Sequence, residues 1–313
     1  MEVLVLKTSY QNPAAKNIRQ NWGLYLLLLP SVILLICFAY KPMYGVIIAF
    51  KDYKSASGII GSPWADPWYK YFLRFFKSFQ FKTTITNTPL INIYSLTVNF
   101  PLPIIMALII NQMHAGKFKR VFQTITYMPH FISTVVMVGL IRIFLSPGIG
   151  FMGNICNLLG IEAPNLMGEA SAFKSIYVWS DAWQHTGWDS IIYIAALSNI
   201  DIYLYEAATI DGASKLQKLR YIDIPMLIPT ASILLIMRVG NLMSLGFEKV
   251  YLMQNDLNLS ASEVIATYVY KIGINGAQYS YSAAINMFNT IINFILLITV
   301  NQITKKISEN SLW

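Results

Sequence analysis

The chain has 313 residues, 55% of them hydrophobic and 12% charged, with a formal net charge of +8 and a mean hydropathy of +0.50. Soluble domains carry roughly a quarter charged residues, so this composition excludes an ordinary soluble class and indicates a multi-pass membrane protein. In such a chain the positive balance reports basic cytoplasmic loops rather than nucleic-acid binding, and two cysteines, Cys37 and Cys156, make no disulfide framework.

Residues 1–21 are polar and mildly basic, lack a cleavable leader pattern, and read as a cytoplasmic tail. A spanning helix needs about 20 mainly apolar residues. Six stretches qualify: about 22–40, 90–113, 122–145, 173–199, 226–252 and 280–303. Residues 22–87 therefore hold the first span and an outer segment. Residues 88–304 form a five-span core with a polar loop at 200–225, and 305–313 form a second tail. Basic residues precede span one (Lys7, Lys16, Arg19), join spans two and three (Lys117, Lys119, Arg120) and four and five (Lys215, Lys218, Arg220), and follow span six (Lys305, Lys306). The positive-inside rule puts both termini and the 200–225 loop in the cytoplasm.

One stretch runs against that rule. The outer loop at 41–87 carries Lys41, Lys51, Lys54, Lys70, Arg74, Lys77 and Lys82; longer loops weigh less in the rule. Its run Trp68–Lys77 is aromatic and basic together, which predicts an interfacial helix. Pro42–Asp52 is too short to span and is expected to continue along the interface. Pro101 and Pro103 predict a kink in span two.

The loop at 206–225 divides into a short helix, a break and a second short helix. Glu206-Ala207-Ala208 favours helix, Gly212 permits a turn, Ser214 can cap the run behind it, and Pro225 marks the start of a new apolar helix. A connecting loop and a partner-binding surface both fit these features.

Glu206-Ala207-Ala208, Gly212 four residues on, and Ile222-Asp223-Ile224-Pro225 resemble the EAA loop of ABC importer permeases, with Ile224 in place of the usual leucine. Asp211 and Ala213 match the carbohydrate-importer form of that loop. The resemblance implies an all-α membrane protein with six transmembrane helices in the MetI-like permease fold, and a coupling helix that docks on a cytoplasmic ATPase. It also implies the partners: a second homologous permease, two ATP-binding cassette ATPase subunits and an extracellular solute-binding protein. Location in the bacterial cytoplasmic membrane follows. ATP and Mg would sit on the partner ATPases and no cofactor on this chain, which has no P-loop pattern of its own.

Polar residues inside spans need reasons. Span four carries Trp179, Asp181, Trp183, Gln184, His185, Trp188 and Asp189, and span five Arg238, Asn241 and Ser244. Aromatic faces with amides and hydroxyls suit a sugar lining; an interfacial aromatic belt and interhelix hydrogen bonds fit them equally. Counted back from Glu206 without a gap, Trp183, Gln184, His185 and Trp188 coincide with sugar-contacting positions of the maltose-importer permease. Counted forward from Pro225, Arg238 and Asn241 do so too, while Leu242, Ser244 and Leu245 lie beyond a drift in register. Arg238, mid-span, either pairs with Asp181 or Asp189 or meets a carboxylate on the cargo. The expected function is oligosaccharide import, with an acidic, uronate-containing fragment as a specific cargo. The alternatives are a permease of the same build for another solute and, from a different class, a secondary transporter. No metal-ligand spacing and no catalytic pair stands out among His114, His130, His185 and the other polar residues.

Overall fold

The structure is a computed structural model that describes residues 21–308. The two expected tails lie outside the described residues except at their inner edges. Asn21 precedes the first helix, and 305–308 belong to the last one rather than to a tail. Among the described residues regular structure is helical, apart from one isolated bridge between Lys51 and Trp64.

Four helices are long and apolar enough to cross a membrane: Trp22–Phe50 (α1), Phe79–Gln112 (α3 to Asn99, α4 from Pro101), Lys215–Gly240 (α10) and Tyr279–Lys306 within α13 (Tyr279–Ser308). Two bent pairs complete six. In one, Lys117–Phe131 (α5, Lys117–Tyr127, with a 3-10 turn) meets α6 (Thr134–Phe144) at 98°. In the other, α8 (Ala170–Ser198) meets α9 (Ile202–Ile210) at 70°. Shorter helices lie between them: α2 (Lys70–Phe76), α7 (Phe151–Leu158), α11 (Phe247–Met253) and α12 (Ile265–Tyr270).

Several span ends differ from the sequence expectation, each for a local reason. Span one does not stop near residue 40. A π turn over Ile36–Tyr40 lets Lys41 donate five residues back to Ile36, and the helix passes Pro42 to end at Phe50. The same device recurs at Pro225: a π turn over Leu219–Asp223 lets Ile224 donate to Leu219, and α10 runs through the proline. Proline lacks an N–H and its ring crowds the carbonyl four residues back; the wider turn moves that carbonyl aside. Residues 42–50 are thus part of the first rod rather than an interfacial segment, with Lys51 and Asp52 just beyond its end, and Pro225 stands in the first α-helical turn after the π turn, in a rod that already began at Lys215.

Span two begins at Phe79, well before residue 90, and the expected kink is a joint at Phe100 between α3 and α4. Span three is not one rod over 122–145. Pro129 sits in a 3-10 turn, and Ser133 caps α6 by accepting from the Val136 N–H, so the chain turns sharply. Span five ends at Gly240 instead of continuing to 252. A Cβ at Gly240 would lie 2.5 Å from Leu297 Cδ1, so glycine allows α13 close in. The chain then turns through 241–246 before α11 starts. Apolar length alone cannot register that break.

The core forms three clusters. Ile91, Val138, Phe173, Tyr177, Val178 and Val250 join α3, α6, α8 and α11. Ala107, Leu108, Tyr193, Leu197 and Leu227 join α4, α8 and α10. Phe75, Met243, Ile265, Tyr281 and Ile285 join α2, α12 and α13. The expected interfacial helix is α2; its Phe75 is 1% exposed and packs edge-on to Phe81 and Phe288. One apolar face of α2 is therefore covered by the protein itself, and Trp68 and Phe76 remain exposed.

The 29-residue α8 belongs to two of these clusters and is the mast of the fold. Helix α5 crosses it at Gly187, where an added Cβ would meet the Thr126 carbonyl oxygen at 2.0 Å. Only glycine permits that approach of two backbones.

Candidate functional site

Two regions carry the polar chemistry, at different levels of the molecule. The first is the loop from α9 to α10. Asp201 caps α9 by accepting from the Tyr203 N–H. The helix ends on Gly212, whose φ of +74° is left-handed, with Ala213 N donating to Ala208 O at 2.8 Å. Glycine at that position is the usual helix stop. Ser214 and Gln217 then form a reciprocal capping box, 2.7 Å from Ser214 N to Gln217 Oε1 and 3.3 Å from Gln217 N to Ser214 Oγ. Lys218 Nζ donates to Thr209 Oγ1 at 2.7 Å and closes the turn.

Glu206, Ala207, Asp211, Gly212 and Pro225 are exposed, and Ala208, Ala213 and Ile222 are half-buried. The apolar Ile202, Tyr203, Ile210 and Leu216 are also exposed; Ile210 retains 86% of its surface. A loop that reads as polar in sequence thus exposes four large apolar side chains alongside its charged ones, a composition suited to a docking surface. Sequence reasoning missed its anchor. Asp223 is fully buried and accepts from the Tyr205 hydroxyl and from Gln112 Nε2, the latter at 3.1 Å. One carboxylate therefore ties α9 to α10 and to the end of α4. The signal was present in the Ile222-Asp223-Ile224-Pro225 run, where a lone acid stands among apolar residues.

The second region lies along α8 and α10. The predicted sugar-contacting residues do not share one face. At 3.6 residues per turn, a five-residue separation turns a helix by roughly 140°, so Trp183 and Trp188 point away from each other. Trp183 lines a cleft of about 350 Å³ with Leu102, Met106, Ile125, Pro129 and Trp179. Trp188 lines a different cleft of about 540 Å³ with Asp189, Ile192, Tyr193, Leu234 and Arg238. Gln184 joins neither: it is 4% exposed and donates to Ile132 O at 2.8 Å, satisfying a carbonyl freed by the sharp turn before α6.

His185 meets His130 with 3.0 Å between their Nδ1 atoms, and His130 stacks flat on Trp188 at 4.4 Å. In the sequence His130 looks isolated; the turn at Pro129 carries it to α8. Arg238 borders two clefts, the one with Trp188 and another of about 380 Å³ lined by Asn92, Ser95, Met237, Asn241 and Leu242. Its Nη2 lies 2.8 Å from Asp189 Oδ2, and Nη1 donates to Asn99 O at 3.3 Å. Of the two candidate acids, Asp189 is the partner. A guanidinium has more donors than these bonds use. Asn241 Nδ2 donates to Met237 O. Ser244 Oγ accepts from Asn293 Nδ2 at 2.7 Å and lines neither cleft of Arg238, and Leu245 is core.

Asp181 is the centre of a second network. Lys249 Nζ lies 3.1 Å from its Oδ1, Asn99 Nδ2 2.9 Å from its Oδ2, and His185 Nε2 3.8 Å away. Lys249, on α11, is 7% exposed. The sequence reading placed residues 247–252 in a continuous span and missed it. A buried lysine needs such a partner. Asn99 contacts both networks, so the joint between α3 and α4 is fixed to α8, α10 and α11 through polar bonds. Polar groups of this kind, aromatic faces and a guanidinium at the edge of clefts, can hold a hydroxylated or carboxylated ligand.

No family model matches the chain. Among curated proteins it is 37% identical over 295 residues to Protein LplB of Bacillus subtilis (strain 168), covering 94% of this chain and 92% of the relative. It is 36% identical over 311 residues to the polygalacturonan/rhamnogalacturonan transport system permease protein YteP of the same organism, covering 99% and 96%. Among solved structures it matches a chain of a bacterial ABC transporter involved in the import of the acidic polysaccharide alginate. That match has a TM-score of 0.87 and 35% identity, covering 95% of this chain and 100% of that one. Identity at this level over nearly the whole length, with the helix order described above, places the chain in the family of sugar ABC importer permeases, multi-pass proteins of the bacterial inner membrane.

Proposed function

We propose that this permease carries acidic, uronate-containing oligosaccharides into the cytoplasm. The observation that carries the reading is Arg238, a guanidinium at the shared edge of two clefts, beside Trp188 and Tyr193. Planar forked donors bind carboxylates bidentately, and flat rings pack on sugar faces. Relatives named for polygalacturonan/rhamnogalacturonan and for alginate transport support the same cargo class. Trp183, on the other face of α8, is assigned to a separate surface, and Gln184 to holding the turn before α6.

In this reading the chain pairs with a second permease and two ATPase subunits that hold ATP and Mg. Both termini and the 200–225 loop are cytoplasmic. The relative solved with an alginate pentasaccharide-bound periplasmic protein supports a solute-binding protein as donor of the cargo. The exposed Ile202, Tyr203, Ile210 and Leu216 patch, with Glu206 beside it, enters a cleft on one ATPase. Closure of the ATPases moves this patch, and Asp223 transmits the motion to α4 and α10. The clefts then open outward, accept the sugar, and return on hydrolysis.

The test is uptake by the full complex in proteoliposomes, with and without internal ATP. The probes are a uronate trisaccharide and its carboxyl-reduced analogue. ATP-dependent uptake that prefers the uronate is expected. Uptake of the neutral analogue alone overturns the cargo assignment, and uptake independent of ATP overturns the ATPase partnership.

A further inference from the structure

The basic outer segment after α1 takes no part in the coupling loop or the central clefts. Between α1 and α3, over residues 51–78, it carries five basic residues, Lys51, Lys54, Lys70, Arg74 and Lys77, against two acidic ones, Asp52 and Asp66. By helix order it lies on the face opposite the 200–225 loop. Basic residues there oppose the usual charge bias of membrane proteins, so a specific use is expected.

The structure folds this segment into one wall of a polar cleft of about 390 Å³ lined by Tyr53, Tyr71, Arg74, Gln278, Tyr279 and Tyr281. The other wall is the turn leading into α13. Ser280 clamps the two together: its Oγ donates to Lys51 O at 2.6 Å and accepts from Tyr53 N at 3.0 Å. The rings of Tyr53 and Tyr279 meet edge-on at 5.7 Å. The Arg74 guanidinium lies over the Tyr281 ring, 4.2 Å from its centre. Among the described residues Arg74 has no carboxylate partner. The nearby acid is already engaged. Asp52 accepts from the Tyr71 hydroxyl at 2.6 Å and from Lys70 at 2.9 Å, and these bonds hold its carboxyl below the usual carboxylate range.

We infer that this cleft is an accessory subsite that holds one carboxylated sugar of the cargo at the outer mouth, with Arg74 taking the carboxylate and the tyrosines flanking the ring. The inference rests on the acidic-cargo reading above. Its size falls in the range of small-ligand clefts, roughly 300–1,000 Å³. Tyrosine supplies both a ring face and a hydroxyl. A guanidinium held over an aromatic ring is pre-positioned, which limits the entropy lost on binding. The surrounding basic excess raises the local concentration of an anionic chain.

The test uses Arg74→Gln and Arg74→Lys in the full complex with its binding protein in proteoliposomes. Uptake of the uronate trisaccharide and of its carboxyl-reduced analogue is measured over a concentration series. Arg74→Gln should raise the half-saturating uronate concentration roughly tenfold, the loss of one charge-assisted pair. It should leave the neutral analogue and the maximal uronate rate unchanged. Arg74→Lys should recover part of the loss. Unchanged uronate uptake overturns the subsite. So does an equal loss for both sugars, which marks a structural role. Loss of ATPase stimulation by cargo-free binding protein assigns the cleft to protein docking and overturns it as well. A wild-type complex that moves only the neutral sugar overturns the parent reading and this one with it.

Discussion

Arg238 on α10 reaches α8, where its Nη2 stands 2.8 Å from Asp189 Oδ2. Both side chains remain about one-third exposed, at 38% and 32%, so the pair borders a cleft rather than being sealed in the core. A pair in that position can hold two helices together and still offer donors to a ligand.

A double-mutant cycle separates these roles. Arg238→Gln should cut uptake of the uronate trisaccharide about tenfold or more, because the lost fork leaves Asp189 to repel an anion. Neutral uptake should change little. In the double variant Arg238→Gln with Asp189→Asn, neutral transport should stay near wild type while uronate uptake stays low. Full recovery of uronate uptake in the double variant would make the pair purely structural, and no loss in the single variant would remove Arg238 from the path.

Gly212 tests the coupling role proposed for the 200–225 loop. Its φ is +74° and no atom lies within 4 Å of an added Cβ. The penalty of a side chain is thus backbone strain alone, about 1–3 kcal/mol. Gly212→Val should keep membrane insertion and binding-protein docking while losing sugar-stimulated ATPase activity. Full sugar uptake by that variant counts against the coupling role.

Gly187 tests the crossing of α5 and α8. An added Cβ would sit 2.0 Å from Thr126 O, and backbone cannot yield as a side-chain tip can. Gly187→Ala should destabilise by about 1–3 kcal/mol, the usual cost of overpacking. Gly139→Ala, with open space around it, is the control and should leave the melting temperature of the purified complex unchanged. Similar melting for both would mean that the crossing is loose.

Lys51 tests the outer segment. Its ammonium donates to the carbonyls of Ile59, Ile60 and Ser62 at 2.8, 3.2 and 3.1 Å. Lys51→Met leaves these acceptors without that donor, at about 1–3 kcal/mol for each one that stays buried. Faster protease cleavage at the exposed Lys54 should follow, and an unchanged rate would show that the loop is held by other contacts.

Sidedness is checked by single-cysteine labelling after Cys37 and Cys156 are replaced, since both are free thiols. A cysteine at Lys218 should react only with reagent delivered to the cytoplasm, and one at Glu162 only from outside. Reaction at Lys218 from outside would invert the proposed orientation.

The sequence alone determined the class of the protein, the approximate number of spans and the location of the polar loop at 200–225. These rest on local properties: apolar length, the distribution of basic residues, and the spacing of Glu206, Gly212 and Pro225. Such signals survive in one dimension because each depends on residues close together in the chain. The span limits were less legible. Apolar counting reads the run through Gly240 and Phe247 as continuous, and it cannot register a π turn that lets a helix pass Pro42 or Pro225.

Only the tertiary structure decided which polar residues meet. The five-residue spacing of Trp183 and Trp188 already turns them to different faces of α8, but only the packing around that helix decided which cleft each one lines. Asp189 rather than Asp181 takes Arg238, because the buried Lys249 of α11 already occupies Asp181. Asn99, His130 and Asp223 gain partners 82, 55 and 111 residues away. Helix crossings at Gly187 and Gly240, where the absence of a side chain lets backbones and neighbours close in, set those meetings. No local pattern encodes which helix will occupy the space that a glycine leaves.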